Sequence, residues 1–290
     1  MKRIARKPLS ILLCLIMLIV ALPFHAFAAE TYGGWCGEDA KWSYNADNNT
    51  LTISGKGKVE ISGLESGYYY IWNDINDDLR QDYFRSGKTA KIKLIVNEGI
   101  TEIDIDGSVK YTSIKLPNSL KRIYGFWFSE GPSTFPIPKS VQTIGCGSYG
   151  VSAFKVASEN KNFSSKDGVL FSKDKSVLIK YPMTSKNKSY TIPSSVKRIA
   201  CHAFLIDKKY LRKITVPSSV KTVEDGAFVF WNCSVNIYFK GTPSKMNYPV
   251  DDEEDATIYY PKSKKKKWEK WIKKWKKYYG SAVKTKSWKG

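Results

Sequence analysis

The sequence predicts a mainly β protein: a solenoid of short, stacked parallel strands with an N-terminal β-hairpin cap, an inserted hairpin and a short C-terminal helix. Three observations point there. One line of sequence is written twice, as "YTIPSSVKRIACHAF" from Tyr190 and "ITVPSSVKTVEDGAF" from Ile214. Fainter copies precede it, spaced mostly in the low twenties, which is the period of units too small to bury an apolar face alone. The last 29 residues break the pattern with Trp and Lys at helical spacing.

The chain opens with Lys2, Arg3, Arg6 and Lys7, then twelve apolar residues from Ile11 to Leu22, then the small-residue site Ala26-Phe27-Ala28. This order reads as a secretory signal peptide, residues 1–28, cut after Ala28. As a membrane anchor the run is too short, because a spanning helix needs about 20 apolar residues. A secreted or cell-surface protein is therefore expected.

Residues 29–90 are expected to form a capping β module. In "AKWSYNADNNTLTISGKGK", Trp42 and Tyr44 fall opposite Leu51 and Ile53 across an Asn/Asp turn, the pattern of a hairpin. Placed at the end of a solenoid, it hides the first rung from water.

Residues 91–261 are the solenoid. With the proline of each line as origin, apolar residues stand at −3, −1, +3, +6 and +11: Tyr190, Ile192, Val196, Ile199 and Phe204 about Pro193, and Ile214, Val216, Val220, Val223 and Phe228 about Pro217. The same frame holds about Pro117, ending at Phe128, and about Pro138, ending at Tyr149. A degenerate copy about Asn97 has Ser108 in place of the aromatic. The −3/−1 pair with a polar residue between is a half-buried strand, which proline ends because it has no N–H for a ladder. Strands near 92–96, 114–116, 135–137, 154–156, 190–192, 214–216 and 235–239 are expected to join one parallel sheet over one continuous core, with the +11 aromatics stacked in a ladder. The 55-residue step between Pro138 and Pro193 holds an insertion near 163–182, where "GVLF" and "SVLIKY" flank "SKDK". It reads as a hairpin projecting from the stack.

Residues 262–290 carry 13 Lys against the single acid Glu269. The body from 29 to 261 is only slightly basic by comparison. Trp268, Trp271 and Trp275 recur at steps of three and four, one face of a helix whose other face is lysine. The aromatic face is read either as a cap on the last rung or as an interfacial helix on an anionic membrane. Lys264, Lys265, Lys266, Lys267, Lys273 and Lys274 are the candidate contacts for a polyanion or a charged surface.

Other chemistry-bearing residues read as ordinary. His202 is the single mature histidine; it sits where the next copy has Gly226 and is expected at the surface rather than as a catalytic base. Asp251, Asp252, Glu253, Glu254 and Asp255 read as a solvated loop, with screening of the nearby lysine tail as a further alternative. Five consecutive acids cannot all face one calcium ion, and the alternating ligand spacing is missing. After Cys14 in the signal, the cysteines are Cys36, Cys146, Cys201 and Cys233, with spacings that match no zinc motif. Cys146 and Cys201 share a rung position; with one rung between them they stand on the order of 10 Å apart, beyond the roughly 7 Å limit of a bridge, so this pair is expected unbridged. No metal or cofactor site is expected, and no specific nucleic-acid partner.

"WCGEDAKWSYNADNNTLTISGKG", the "IPSSVKRIACHAF" lines, "DGVLFSKDKSVLIKYP" and "ATIYYPKSKKKKWEKW" together resemble the BspA-like leucine-rich repeat family of secreted and surface proteins. The resemblance implies a right-handed leucine-rich-repeat solenoid used for extracellular binding, often adhesion to proteins or surfaces, and it brings no catalytic motif. The resulting expectation is a non-enzymatic protein that binds an extracellular protein or glycan on its exposed sheet or loops. The alternative is an envelope-associated protein that grips anionic wall polymer or membrane through its tail. A glycan-active enzyme ranks third, because no paired carboxylates are placed toward one cleft.

Overall fold

The chain passes from antiparallel to parallel pairing within a single strand near its N-terminus. The computed structural model describes residues 31–61, 91–106, 110–127, 131–145, 147, 150–206, 210–231, 233–250, 256–279 and 283–289. The signal segment 1–28, residues 62–90 of the N-terminal module and the acidic run 251–255 lie outside them. So do Cys146 and the line-ending residues Ser108, Phe128 and Tyr149.

Strands β1 (Thr31–Trp35), β2 (Asp39–Asn45) and β3 (Thr50–Ile61) form an antiparallel meander. Trp42 faces Ile53 and Tyr44 faces Leu51, all four buried. The Tyr44 hydroxyl donates to Asn49 Oδ1 at 2.7 Å and ties down the turn. Beyond that turn β3 does two jobs. Its first half pairs in parallel with β4 (Lys91–Val96), and its second half, from Gly57, pairs in parallel with β5 (Ile100–Asp106). The change of face occurs at Gly55, where φ is +110° and a Cβ would lie 2.1 Å from the Asp39 carbonyl oxygen, so no side chain fits. The cap is thus the first rung of the stack rather than a lid laid on it.

The repeat frame sets the path of each turn. At Pro117, Pro138, Pro193 and Pro217 the proline carbonyl accepts the N–H of the residue three places on. This turn swings the +3 side chain into the core: Leu120, Val141, Val196 and Val220 are all buried. The +5/+6 pair then forms a second short strand. β6 (Lys110–Lys115) follows β4 on one face, while β7 (Arg122–Trp127) and β9 (Thr143–Ile144) follow β5 on another. In the C-terminal half, β14 (Ser189–Thr191), β17 (Lys213–Val216), β20 (Val235–Phe239) and β22 (Ala256–Pro261) are stacked in parallel register. A second ladder joins β15 (Arg198–Ile199), β18 (Thr222–Val223) and β21 (Lys245–Met246). A third joins β16 (Phe204–Ile206) to β19 (Phe228–Phe230), so the +11 aromatic begins a strand rather than ending a turn. Tyr181, Phe204 and Phe228 stack in sequence at 5.2 and 5.3 Å.

The expectation of one sheet over one core requires correction. Among the described residues the first-face strands fall into separate ladders: β4 with β6, β8 (Thr134–Ile137) with β10 (Ala153–Val156), and the β14 ladder. The apolar core is likewise divided, with Val141 in an N-terminal cluster and Val196 in a C-terminal one. The insertion is the cause. It is a three-stranded meander, β11 (Phe163–Lys166), β12 (Val169–Ser172) and β13 (Val177–Lys180), built into the stack instead of projecting from it. β13 takes the place of a rung and pairs in parallel with β15. Along β12, Leu170 belongs to the N-terminal core while Val169 and Phe171 belong to the C-terminal one, as alternation along a strand requires.

Asn160 locks this junction. It is fully buried; its Nδ2 donates to the Pro138 and Val141 carbonyls, and its Oδ1 accepts from the Asn162 and Phe163 amides. A buried amide with all four bonds made costs little, and one with none is expensive.

Cys201 is disulfide-bonded, and Cys146, the other half of the pair expected unbridged, lies outside the described residues. Cys36 and Cys233 are in no disulfide, so its partner lies outside the described residues.

Candidate functional site

The C-terminal end is where charge, cavities and a change of architecture coincide. After β22, the 3-10 turn Lys262–Lys264 leads into α1 (Lys265–Tyr279), and the chain returns as β23 (Val283–Trp288). β23 pairs in parallel with β22 along its whole length. The helix is therefore a crossover between two rungs, not a free tail.

Its faces are sharply divided. Trp268, Trp271, Trp275 and Tyr279 are buried, and all four belong to the C-terminal core. Trp268 meets Phe239 edge-on at 5.0 Å and stacks on Tyr260 at 5.7 Å. Trp275 Nε1 donates to the Asn247 carbonyl at 2.6 Å, and the Tyr279 hydroxyl donates to the Val250 carbonyl. The three tryptophans thus cap the stack, and their apolar face is spent on the fold. This is the helix geometry that the i, i+3, i+7 spacing imposes. No helix among the described residues is long and apolar enough to cross a membrane.

The lysines face outward but not all together. Lys264, Lys266 and Lys267 border a cleft of about 640 Å³ between the helix start and the turns around Ser218–Lys221 and Lys240–Ser244. Lys265 and Lys273 border a second groove, of about 790 Å³, between the helix and β23, with Lys276, Lys284 and Lys286. Glu269 partly neutralises that groove. Lys274 is engaged elsewhere: its Nζ donates to Asn247 Oδ1 at 3.3 Å and lies 4.3 Å from the Tyr248 ring centre. Sequence alone groups the six lysines as one strip. The structure divides them among three places, because successive residues of a helix point about 100° apart.

Two features carry no signal in the sequence. The outer face of the C-terminal sheet carries Tyr238 stacked in register on Tyr259 at 4.2 Å, with Trp288 edge-on at 5.1 Å and Lys213 over the Tyr238 ring. Their spacing in sequence is irregular, so only the rung register reveals them. The other is Lys180, buried in the stack, whose Nζ donates to the His202 carbonyl at 3.0 Å. Burial pulls its pKa down to about 7, since the interior disfavours the charged form. His202 itself is half-buried rather than a surface residue. Its φ is +49° and its Nδ1 is buried with no hydrogen-bond partner among the described residues; its Cδ2–Nε2 edge lies against Gly226, which adopts the same left-handed turn one rung later.

No curated protein matches the chain in sequence. Among solved structures, a leucine-rich repeat protein from Eubacterium ventriosum superposes with a TM-score of 0.39 at 18% identity, covering 80% of this chain and 79% of that one. The pneumococcal vaccine antigen PcpA gives 0.32 at 16% identity, covering 88% and 98%. Neither likeness is close enough to bear on function. The sequence itself matches the BspA type leucine rich repeat region in six copies, over residues 80–182 and 179–247. These are the rungs, the built-in meander and the double-written line, and the chain belongs to the BspA-type leucine-rich repeat family.

Proposed function

We propose that this is a secreted or cell-surface protein that binds an extracellular macromolecule without transforming it, and that its basic C-terminal end is the contact for an anionic partner. The observation that carries the reading is the division of α1: its tryptophans are committed to the core, so its lysines are displayed on a rigid support. Held on a fixed element, such an array concentrates positive potential, which attracts polyanions and raises their association rate. Export is supported by the leader-like residues 1–28.

The test is retention of the mature chain on immobilised heparin under a salt gradient. Replacement of Lys264, Lys265, Lys266, Lys267, Lys273 and Lys274 by Gln should move elution to much lower salt. Unchanged elution would remove the anionic contact from the reading.

A second reading places the contact on the outer sheet face, and the half-buried Tyr238, Tyr259 and Trp288 favour it, since rigid aromatics supply large contact area at low entropic cost. Capture of host extracellular proteins that is lost in Tyr238→Ala and Tyr259→Ala, and kept in the lysine variant, would select it.

A further inference from the structure

We infer that the cleft between the helix start and the last complete turns of the solenoid is a binding site for a polyol-phosphate chain, that is, a thin polymer of repeated phosphodiesters. This rests on the anionic reading above and deepens it. Three lysines of the helical segment, Lys264, Lys267 and Lys270, face two from the solenoid body, Lys221 and Lys240, with Lys266 beside them. Lys221 and Lys240 lie in the repeat and belong to no charge run, so composition could not have joined them to the tail.

The walls are fixed. The Lys221 amide donates to the Lys197 carbonyl at 2.8 Å, and the Lys221 carbonyl accepts from the Ser244 and Lys245 amides of the next turn. Gly241 brings Lys240 against the 218–221 turn: a Cβ there would lie 2.8 Å from Ser218 Cα, so any larger residue would push the two walls apart. Lys270 is steadied over the Trp271 ring at 4.4 Å. None of the lining residues is a carboxylate, and none of the six lysines enters an ion pair among the described residues. Six like charges around one concavity repel one another until an anion arrives.

The lining also selects the anion. Every cation in the cleft is lysine, a compact point charge that binds phosphate oxygens without the planar bidentate geometry arginine imposes, which suits successive phosphates on a flexible chain. No aromatic ring lines the cleft, so there is no platform for a nucleobase, which single-stranded nucleic acid sites employ. A cleft of about 640 Å³ has room for one slender chain.

The experiment measures binding of the mature chain to poly(glycerol phosphate), with heparin, hyaluronate and duplex DNA as parallel arms. Lys221→Gln/Lys240→Gln should weaken poly(glycerol phosphate) binding at least tenfold and flatten its log–log salt dependence by about 1.5, the consequence of two lost phosphate contacts. Lys276→Gln/Lys277→Gln removes the same charge from the far end of the helix and should change affinity less than threefold. Lys264→Gln/Lys267→Gln, on the opposite wall, should reproduce the first loss, with melting temperatures confirming that all variants fold. Equal losses from the near and far pairs overturn the cleft but leave the anionic end intact. Heparin binding without poly(glycerol phosphate) binding overturns the phosphodiester assignment. Duplex DNA bound as tightly, with the same sensitivity to Lys221 and Lys240, overturns the choice of polymer. Failure to retain any of the four polyanions removes both this site and the reading beneath it.

Discussion

Phe204 and Phe228 lie one rung apart in register, their rings stacked with centroids 5.3 Å apart and planes 25° from parallel. Tyr181 extends the stack at 5.2 Å from Phe204. Both phenylalanines are fully buried, and each is the +11 residue of a complete copy of the line. Replacing either by Ala removes ring contacts and leaves a cavity that the flanking rungs cannot close, because their hydrogen-bond ladders hold them apart. The expected cost is about 3–5 kcal/mol for each. Since the two rings touch, the double variant should fall short of the sum. Equilibrium denaturation of the three variants checks both statements; single losses under about 1 kcal/mol would remove these residues from the core.

Asn160 should be the most sensitive polar residue of the junction. Its side chain bonds four backbone groups from two segments; Asn160→Leu leaves the Asn162 and Phe163 amides unpaired, while the Pro138 carbonyl keeps the Val141 amide and the Val141 carbonyl keeps Asn162 Nδ2. At about 1–3 kcal/mol per unsatisfied group, the two amides predict a loss of about 2–6 kcal/mol. Asn160→Asp keeps the acceptor and loses the donor, so Pro138 and Val141 would face a carboxylate. Denaturation midpoints of both variants test this, and wild-type stability in Asn160→Leu would show that water replaces the amide.

The −3/−1 and +3/+6 positions were legible because each is set by local chemistry: proline ends a strand wherever it stands, and alternation marks the buried face. The ladder of β14, β17 and β20 is therefore the arrangement the sequence predicts. The features that stayed hidden depend on distance along the stack. Nothing local to Val177–Lys180 says that this strand replaces a rung and splits the core. Nothing local to Val283–Trp288 says that it returns beside β22. Lys221 and Lys240 look like scattered surface lysines until register sets them across from Lys264 and Lys267.

Lys180 should make stability depend on pH in a direction opposite to acid-stabilised folds. Its folded pKa, about 7, lies below the ordinary 10.5 because burial penalises the ammonium. Between those values the unfolded chain binds more protons than the folded one, so stability rises with pH from about 7 upward, and below about pH 7 the full cost of a buried charge is present. Cys36 acts the other way above about pH 9, where the unfolded thiol ionises and the folded one, pushed up to about 12 by burial, does not. The clean window is about pH 7 to 8.5. There, stability of the wild type should climb while Lys180→Met, which carries no titrating group, stays flatter. Parallel slopes for the two proteins would show that Lys180 keeps its charge in the fold.

The last prediction separates what α1 does for the fold from what it does for binding. Trp268 is fully buried between Phe239 and Tyr260, and Trp275 is anchored to the Asn247 carbonyl. Trp268→Ala should cost about 3–5 kcal/mol, the range for deleting a buried aromatic. Trp275→Ala should cost a similar amount, because the loss of packing adds to an unpaired carbonyl. Loosening α1 should also release β23, whose pairing with β22 depends on the crossover that brings it back. Hydrogen exchange would then quicken at Val283–Trp288 before it quickens at β17 or β20, since solenoid stability is a sum of neighbour interfaces and the end unit has only one. The lysine-to-glutamine set should show the converse: a melting temperature close to wild type, protected amides in β23, and weakened retention on polyanions. If Trp268→Ala leaves stability and β23 protection unchanged while abolishing partition onto anionic vesicles, then the aromatic face works at a membrane and the docked arrangement of α1 is not the one that operates in solution.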